Sequence, residues 1–372
     1  MDIALFDYAL PKELIAQTPI ENRDHARMLV LPKAVAYQAA TCQDAANQAA
    51  ADQAALFQEK TPDRGASPEI IHDYFYHLSR YLQAGDVLVF NRTRVLPVRL
   101  LGKKADTGGK AECFLLHQTS PDIWSCLVRP GRRLQVGTRL IFGQGELEGI
   151  IEDRTEQGGR LVRFIWQGDF EEALHQAGSV PLPPYIHESL EDPERYQTVY
   201  GDVAGSAAAS TARLHFTEET LADLDGMGVE RAMVLLHVGL GTFRPVEAQQ
   251  IEDHKMHKEY CAVSKETASA INGAKNEGRR IIAVGTTALR TLEAFGGGGK
   301  LQSGEKWTDV FIYPGYRFQI ADGLLTNFHL PKSSLLMLVS ALAGRESVLA
   351  AYTEAIRERY RFFSFGDAML IL

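Results

Sequence analysis

The sequence predicts an α/β domain interrupted by an inserted antiparallel β-barrel. Short apolar runs such as Met28–Leu31, Val87–Phe90 and Ile281–Val284 have the length and bounds of buried strands. They alternate with helical segments, the pattern of a largely parallel sheet. Between residues 98 and 180 the pattern changes to short alternating runs parted by glycine-rich turns, which reads as a small barrel or sandwich. At 372 residues the chain is long for one core, and two domains are expected: 1–97 with 181–372, and 98–180 inserted between them.

The elements follow in order. Residues 1–33 hold a short amphipathic segment, the polar Glu21-Asn22-Arg23-Asp24, and the strand Met28–Leu31. Residues 34–66 are dominated by Ala, Gln and Asp, with too little apolar surface to hold a helix on a core, and are expected to be a variable insertion, protruding or disordered. A helix over His72–Leu82, a Gly85-Asp86 turn and a strand ending at Phe90 come next. The barrel strands are expected at 98–101, 111–116, 124–128, 139–142, 149–152 and 161–165. Val180–Tyr185 is proline-rich and reads as a stiff connector. Val234–Val238 and Ile281–Val284 are strands; Ser264–Glu277 is a helix with Ser264 as N-cap and Gly278 as its stop. Further helices are expected over Ala288–Phe295, over Pro331–Ala343 with Pro331 near its first turn, and over Val348–Arg359.

Composition narrows the function classes. The chain is 45% hydrophobic and 23% charged, as globular proteins are. No run approaches the roughly 20 apolar residues of a membrane span. The opening MDIALFDYALPKEL lacks a basic segment followed by an apolar run, so no secretory signal is expected. Cys42, Cys113, Cys126 and Cys261 form no C-x-x-C pair, which predicts reduced thiols and no zinc knuckle. A net charge of −8 argues against a general nucleic-acid binder. Basic runs exist locally, at Arg129 with Arg132 and Arg133, at Arg279-Arg280, and between Arg357 and Arg361.

Several segments are polar or glycine-rich where a strand has just ended, the place where α/β proteins bind ligands. Asn91-Arg92-Thr93-Arg94 offers hydrogen-bonding groups and two guanidinium forks for a carboxylate or phosphate, or is simply a polar strand end. Gly205 to Phe216 is rich in small residues, includes Thr211, and brings His215, an acid–base candidate or a core histidine. In His237-Val-Gly239-Leu-Gly241-Thr242-Phe243 the glycines allow close backbone approach and Phe243 can stack on a base, although a dinucleotide fingerprint would need glycine where Arg244 stands. His254 and His257 lack a third ligand at a recognisable spacing, and no metal is expected. Gly285-Thr286-Thr287 opens a helix whose N–H groups suit an anion, or is a capping turn. Thr326–Pro331 with Ser333-Ser334, and Phe362–Asp367, are aromatic and polar, reading as core or as a base-stacking platform.

Taken in order, these segments resemble one family over nearly the whole chain outside 34–66. Phe6-Asp7-Tyr8 and Gly85–Val95 match its first blocks; Trp124 and Arg129-Pro130-Gly131 its barrel. Pro181–Ile186, Tyr196–Tyr200, Leu214–Thr217, His237–Pro245, His257–Tyr260, Val284–Arg290, Thr326–Ser334 and Phe365–Asp367 follow. The resemblance is to the S-adenosylmethionine:tRNA ribosyltransferase-isomerases of queuosine biosynthesis. It implies an α/β barrel-like main domain with the inserted barrel; a cytoplasmic location and a monomer are expected beside it. It also implies consumption of S-adenosylmethionine as co-substrate, its ribosyl group passing to 7-aminomethyl-7-deazaguanine in the tRNA anticodon, with release of adenine and methionine.

That chemistry needs a base beside the sulfonium-activated 5′-carbon and stabilisation of departing adenine, for which His215 and His237 are the candidates. A carboxylate holder is expected among Arg92, Arg94, Arg290 and the Gly285–Thr287 helix start. Phe243 and Tyr260 are the candidate flat contacts. Asn91, Thr93, Thr211, Gly239, Gly241, Thr242, Asn327, His329 and Ser333 complete the expected binding set. Two positions depart from the family pattern: Ser210 stands where proline is usual and Arg213 where glycine is usual. Arg213 beside His215 either obstructs the substrate pose or gains a phosphate contact. A relative acting on a free nucleoside or base, and a non-catalytic tRNA-binding homologue, are the alternatives. With an acidic chain meeting a polyanion, a locally positive face involving the arginines at 129–133 is expected.

Overall fold

The computed structural model describes residues 1–32, 70–155, 158–183, 185–188, 192–197, 200–206, 211–239, 246 and 248–372. The expected 34–66 insertion lies outside the described residues.

A nine-stranded mixed sheet organises the chain. Its order is Gly304–Thr308, Glu259–Val263, Glu230–Leu236, Val87–Asn91, Ile281–Val284, Gly323–Asn327, Ala368–Ile371, Arg27–Leu31 and Ile71–Tyr74. Val87–Asn91 pairs in parallel on both sides, with Val87 opposite Glu230 and Ile281. Every residue of that strand is buried, which explains why it reads as an unbroken apolar run rather than an alternating one. Glu230–Leu236, Val87–Asn91, Ile281–Val284 and Gly323–Asn327 are mutually parallel, so their C-terminal ends share one edge. Ala368–Ile371 runs antiparallel to Gly323–Asn327, with Ala368 opposite Asn327, and so delivers Phe363–Asp367 to the same edge.

The inserted barrel comprises Arg99–Lys104, Lys110–Ser120, Ile123–Arg129, Arg160–Trp166, Leu147–Arg154 and Arg139–Phe142 in spatial order. Pairing of Gly102 with Phe142 closes it. Leu100, Cys113, Leu115, Phe142, Ile151 and Val162 fill its interior from inward-facing alternate positions. The α/β architecture with an inserted antiparallel barrel is thus as the sequence predicts.

Several element bounds shift by a few residues, and two local differences have a clear physical cause. The expected helix over His72–Leu82 is an edge strand, Ile71–Tyr74, followed by a 3₁₀ segment, Phe75–Tyr81. Antiparallel pairing with Arg27–Leu31 supplies backbone hydrogen bonds that helix propensity cannot match there. Asp73 then shapes the turn, accepting from the Tyr74 N–H at 2.8 Å and the Tyr81 hydroxyl at 2.7 Å. The helix expected from Pro331 starts at Ser334, because Ser333 is the N-cap and accepts from the Leu336 N–H at 3.1 Å. Ser264 caps Lys265–Asn276 as expected. Cys113, Cys126 and Cys261 are buried free thiols. No single described helix is long and apolar enough to cross a membrane.

Candidate active site

The shared edge of the parallel strands carries a cleft whose empty space, its open mouth included, is about 710 Å³. Gly285, Thr286 and Thr287 form one wall. Gly285 adopts φ +87° between the strand Ile281–Val284 and the helix Thr286–Phe295, a conformation glycine takes without penalty. The first N–H groups of that helix have no intrahelical acceptors, so the wall favours an anion. Thr326, Asn327 and His329 form a second wall, with Thr211, Val238 and Ser333 beside them.

Two aromatic rings close the site. Tyr185 and Phe363 lie 4.8 Å apart between centroids, and the Tyr185 hydroxyl pairs with Ser364 Oγ at 2.8 Å. Burial pushes the Tyr185 hydroxyl up to about 12, so it stays protonated. Neither ring belongs to the expected binding set. Tyr185 ends the proline-rich connector and Phe363 sits in the aromatic run 362–365, a pattern that core packing also produces.

A hydrogen-bonded chain runs inward from the cleft. Thr211 Oγ1 donates to Asn327 Oδ1 at 3.0 Å, and Asn327 Nδ2 donates to His215 Nε2 at 3.1 Å. Receiving that bond makes Nε2 an acceptor and assigns the proton to Nδ1. Burial lowers the His215 pKa to about 4, against the raising effect of a hydrogen bond to the Arg23 backbone. His215 packs on Phe75 with centroids 5.1 Å apart and does not line the cleft. It is a neutral histidine that orients Asn327. His329 is held similarly: Nε2 meets Thr326 Oγ1 at 2.9 Å, and burial lowers its pKa to about 3.

His237 is differently placed. Its Nδ1 meets Thr93 Oγ1 at 2.9 Å, and its ring lies nearly parallel to Tyr260, at 19° and 5.8 Å. Burial lowers its pKa and keeps the ring neutral. Its Nε2 has no hydrogen-bond partner among the described residues. Gly205, at φ +142°, leaves room for the ring: a Cβ there would stand 2.7 Å from His237 Cε1.

Arg213 turns into the interior, with 1% of its surface exposed. It donates to the Thr93 carbonyl at 3.0 Å and lies 5.5 Å from the Tyr200 ring centre. Burial lowers its pKa to about 10, where it is still charged. It does not line the cleft, and it braces the residue that holds His237.

Other expected contacts have structural partners. Asn91 bridges to the neighbouring strand, donating to the Leu236 carbonyl at 2.9 Å and accepting from its N–H at 3.0 Å. Arg92 pairs with Asp202 at the surface. Arg290 forms an ion pair with Glu259, both almost fully buried, and the other Glu259 oxygen accepts from the Gly239 N–H at 3.0 Å. Glu259 escaped the sequence reading; its only signal is an acid inside the alternating run Glu259–Val263. Tyr260 donates to Glu305. Arg94 is half-buried. Asn91, Arg92, Thr93, Arg94, His237, Gly239, Tyr260 and Arg290 do not line the cleft; His237 stands next to Val238, which does. Ser210, Gly241, Thr242 and Phe243 lie outside the described residues. No group of three or more His, Cys, Asp or Glu that could hold a metal occurs among the described residues.

Comparison with known proteins places this arrangement. The family model described as queuosine biosynthesis protein matches residues 3–61 and 47–371, running through the 34–66 segment. A protein of Carboxydothermus hydrogenoformans named S-adenosylmethionine:tRNA ribosyltransferase-isomerase is 53% identical over the full length of both chains. A protein of the same name from Desulfitobacterium hafniense is 51% identical, again over both full lengths. The crystal structure of S-adenosylmethionine tRNA ribosyltransferase from Thermotoga maritima is 36% identical, with a TM-score of 0.52 over 99% of this chain and 100% of that one. On these matches, together with the fold and its cleft, the chain belongs to the queuosine biosynthesis family of S-adenosylmethionine:tRNA ribosyltransferase-isomerases.

Proposed function

We propose that this chain transfers and isomerises the ribosyl group of S-adenosylmethionine onto 7-aminomethyl-7-deazaguanine at the tRNA wobble position, giving epoxyqueuosine-tRNA, adenine and methionine. The observation that carries the reading is one cleft pairing a helix N-terminus with an aromatic wall. The Gly285–Thr287 turn suits the methionyl carboxylate. Tyr185 and Phe363 offer flat contacts to a purine. The cofactor-sized substrate supplies the activated 5′-carbon when bound, because its sulfonium acidifies the adjacent position.

The chain's own residues do the rest. His237, neutral, bonded through Nδ1 and open at Nε2, is the general base. Thr93 orients it, and Arg213 braces Thr93. Thr211, Asn327 and His215 hold a polar wall whose hydrogen bonds are already formed, so no reorganisation is needed as charge moves. The target base leaves the anticodon stack to reach the cleft. The protein acts in the cytoplasm, as a monomer, without a metal.

The test is direct. Incubate the protein with S-adenosylmethionine and an anticodon stem-loop carrying the modified base, then measure adenine release and the RNA mass by mass spectrometry. Adenine release with the matching mass gain supports the reading. A folded protein giving neither refutes it, and turnover of the free base alone moves the assignment to a nucleoside-level enzyme.

A further inference from the structure

We infer that one end of the inserted barrel is the docking surface for the RNA sugar–phosphate backbone, with Arg129, Arg132, Arg133 and Arg154 as its cations. The inference rests on the proposed tRNA substrate. It starts from how arginines are used in this acidic chain. Most guanidiniums are spoken for: Arg99 by Glu112, Arg139 by Glu148, Arg163 by Asp122 and Glu152, Arg279 by Glu230, and Arg280 by Asp86. The side chains of Arg129, Arg132 and Arg133 have no hydrogen bond or ion pair among the described residues, and all three residues are exposed. Three such cations within five residues, on a chain of net charge −8, form a local concentration of uncompensated positive charge.

The surrounding structure keeps that charge uncancelled. Glu112, opposite Arg129 across the strand pair, is engaged by Arg99. Arg154 is held by a neutral partner, the Gln135 side chain, so its charge also stays available. Arg132, Gln135 and Arg154 border a concavity with Gly131, Thr155, Gly158 and Arg160.

The surface is also built in advance. Arg160 is 5% exposed and donates to the carbonyls of Leu134, Gly159 and Gly131 at 3.0, 2.9 and 2.7 Å, and to Gly158 at 3.2 Å. One buried guanidinium therefore ties Gly131 and Leu134 to the Gly158-Gly159 backbone. A polyanion meeting this face finds its cations on a fixed frame, which lowers the ordering cost of binding. Exposed arginines on a rigid loop match phosphate oxygens, which guanidinium forks bind bidentately.

The experiment compares the full-length protein with the triple variant Arg129→Ala/Arg132→Ala/Arg133→Ala and the matching triple Lys variant. Binding of tRNA carrying the modified base is measured by fluorescence anisotropy between about 50 and 200 mM KCl, the range over which phosphate contacts are most visible. Adenine release is measured alongside, at saturating tRNA. The Ala variant is expected to bind about tenfold more weakly and to lose about 0.7–0.9 of log–log salt slope for each phosphate contact removed. Its kcat and its KM for S-adenosylmethionine should stay within twofold of wild type, and the Lys variant should restore most of the slope. An Ala variant with unchanged tRNA affinity and salt slope overturns the docking surface, whatever the turnover. Wild-type protein that binds tRNA with this arginine-dependent slope yet releases no adenine leaves the surface standing and refutes the proposed reaction instead.

Discussion

Removing Glu259 should destabilise the protein and leave the Gly239 N–H without its acceptor. Glu259 and Arg290 expose only 4% and 5% of their side chains. The remaining contact of Arg290 would be Nε to the Val310 carbonyl at 3.4 Å, and its Nη2 already lacks a hydrogen-bond partner. Glu259→Ala therefore strands a buried cation and also leaves the Gly239 N–H without its acceptor. Breaking one side of a buried pair costs about 3–5 kcal/mol. At about 2.1 cal/mol/K per residue, the unfolding entropy of 372 residues is about 0.8 kcal/mol/K, so the midpoint should fall by about 4–6 °C. Calorimetry measures this directly. The double variant Glu259→Leu/Arg290→Met should recover at least half of the loss, because it removes both charges together. A single variant within 1 °C of wild type, or a double variant no better than the single, would refute the reasoning.

Other perturbations probe the site itself. His215 titrates near 6.5 in an unfolded chain and at about 4 when folded, so the unfolded state binds the proton first. The contribution is complete above pH 6.5 and lost as pH falls toward 4, a difference of about 3 kcal/mol at 1.36 kcal/mol per pH unit. His215→Gln should flatten urea-measured stability across that window, and an unchanged slope would count against the assignment. Gly205→Ala puts a methyl 2.7 Å from His237 Cε1, and a ring displaced by about 1 Å should cost about a hundredfold in adenine release. Wild-type kcat in that variant would exclude His237 as the base. Tyr185→Ala should raise the KM for S-adenosylmethionine about tenfold, since stacking on a base is worth about 1–3 kcal/mol, whereas Tyr185→Phe should keep it within about twofold. Equal KM values in the two variants would remove Tyr185 from the purine contact.

The sequence alone determined the elements whose signal is local. Strands buried on both faces read as continuous apolar runs, as in Val87–Asn91 and Ile281–Val284, because both of their sides face helices or core. Ser264 announced its helix because an N-cap is a contact between residues three apart. Barrel strands showed as alternation, the signature of one buried face. Gly285-Thr286-Thr287 was legible as a site segment because it follows a strand end, and the structure brings it to one cleft with Thr326–His329. Only the tertiary structure decided which polar residues line that cleft and which are held behind it. His215 and His237 look alike in sequence, yet one lies behind Asn327 and the other keeps an open ring nitrogen. Arg290 could have been a substrate clamp until Glu259, distant along the chain, was found against it. Ile71–Tyr74 became a strand because Arg27–Leu31 offered it an edge. Each of these outcomes depends on a partner far away in sequence, and periodicity and spacing carry no record of such partners.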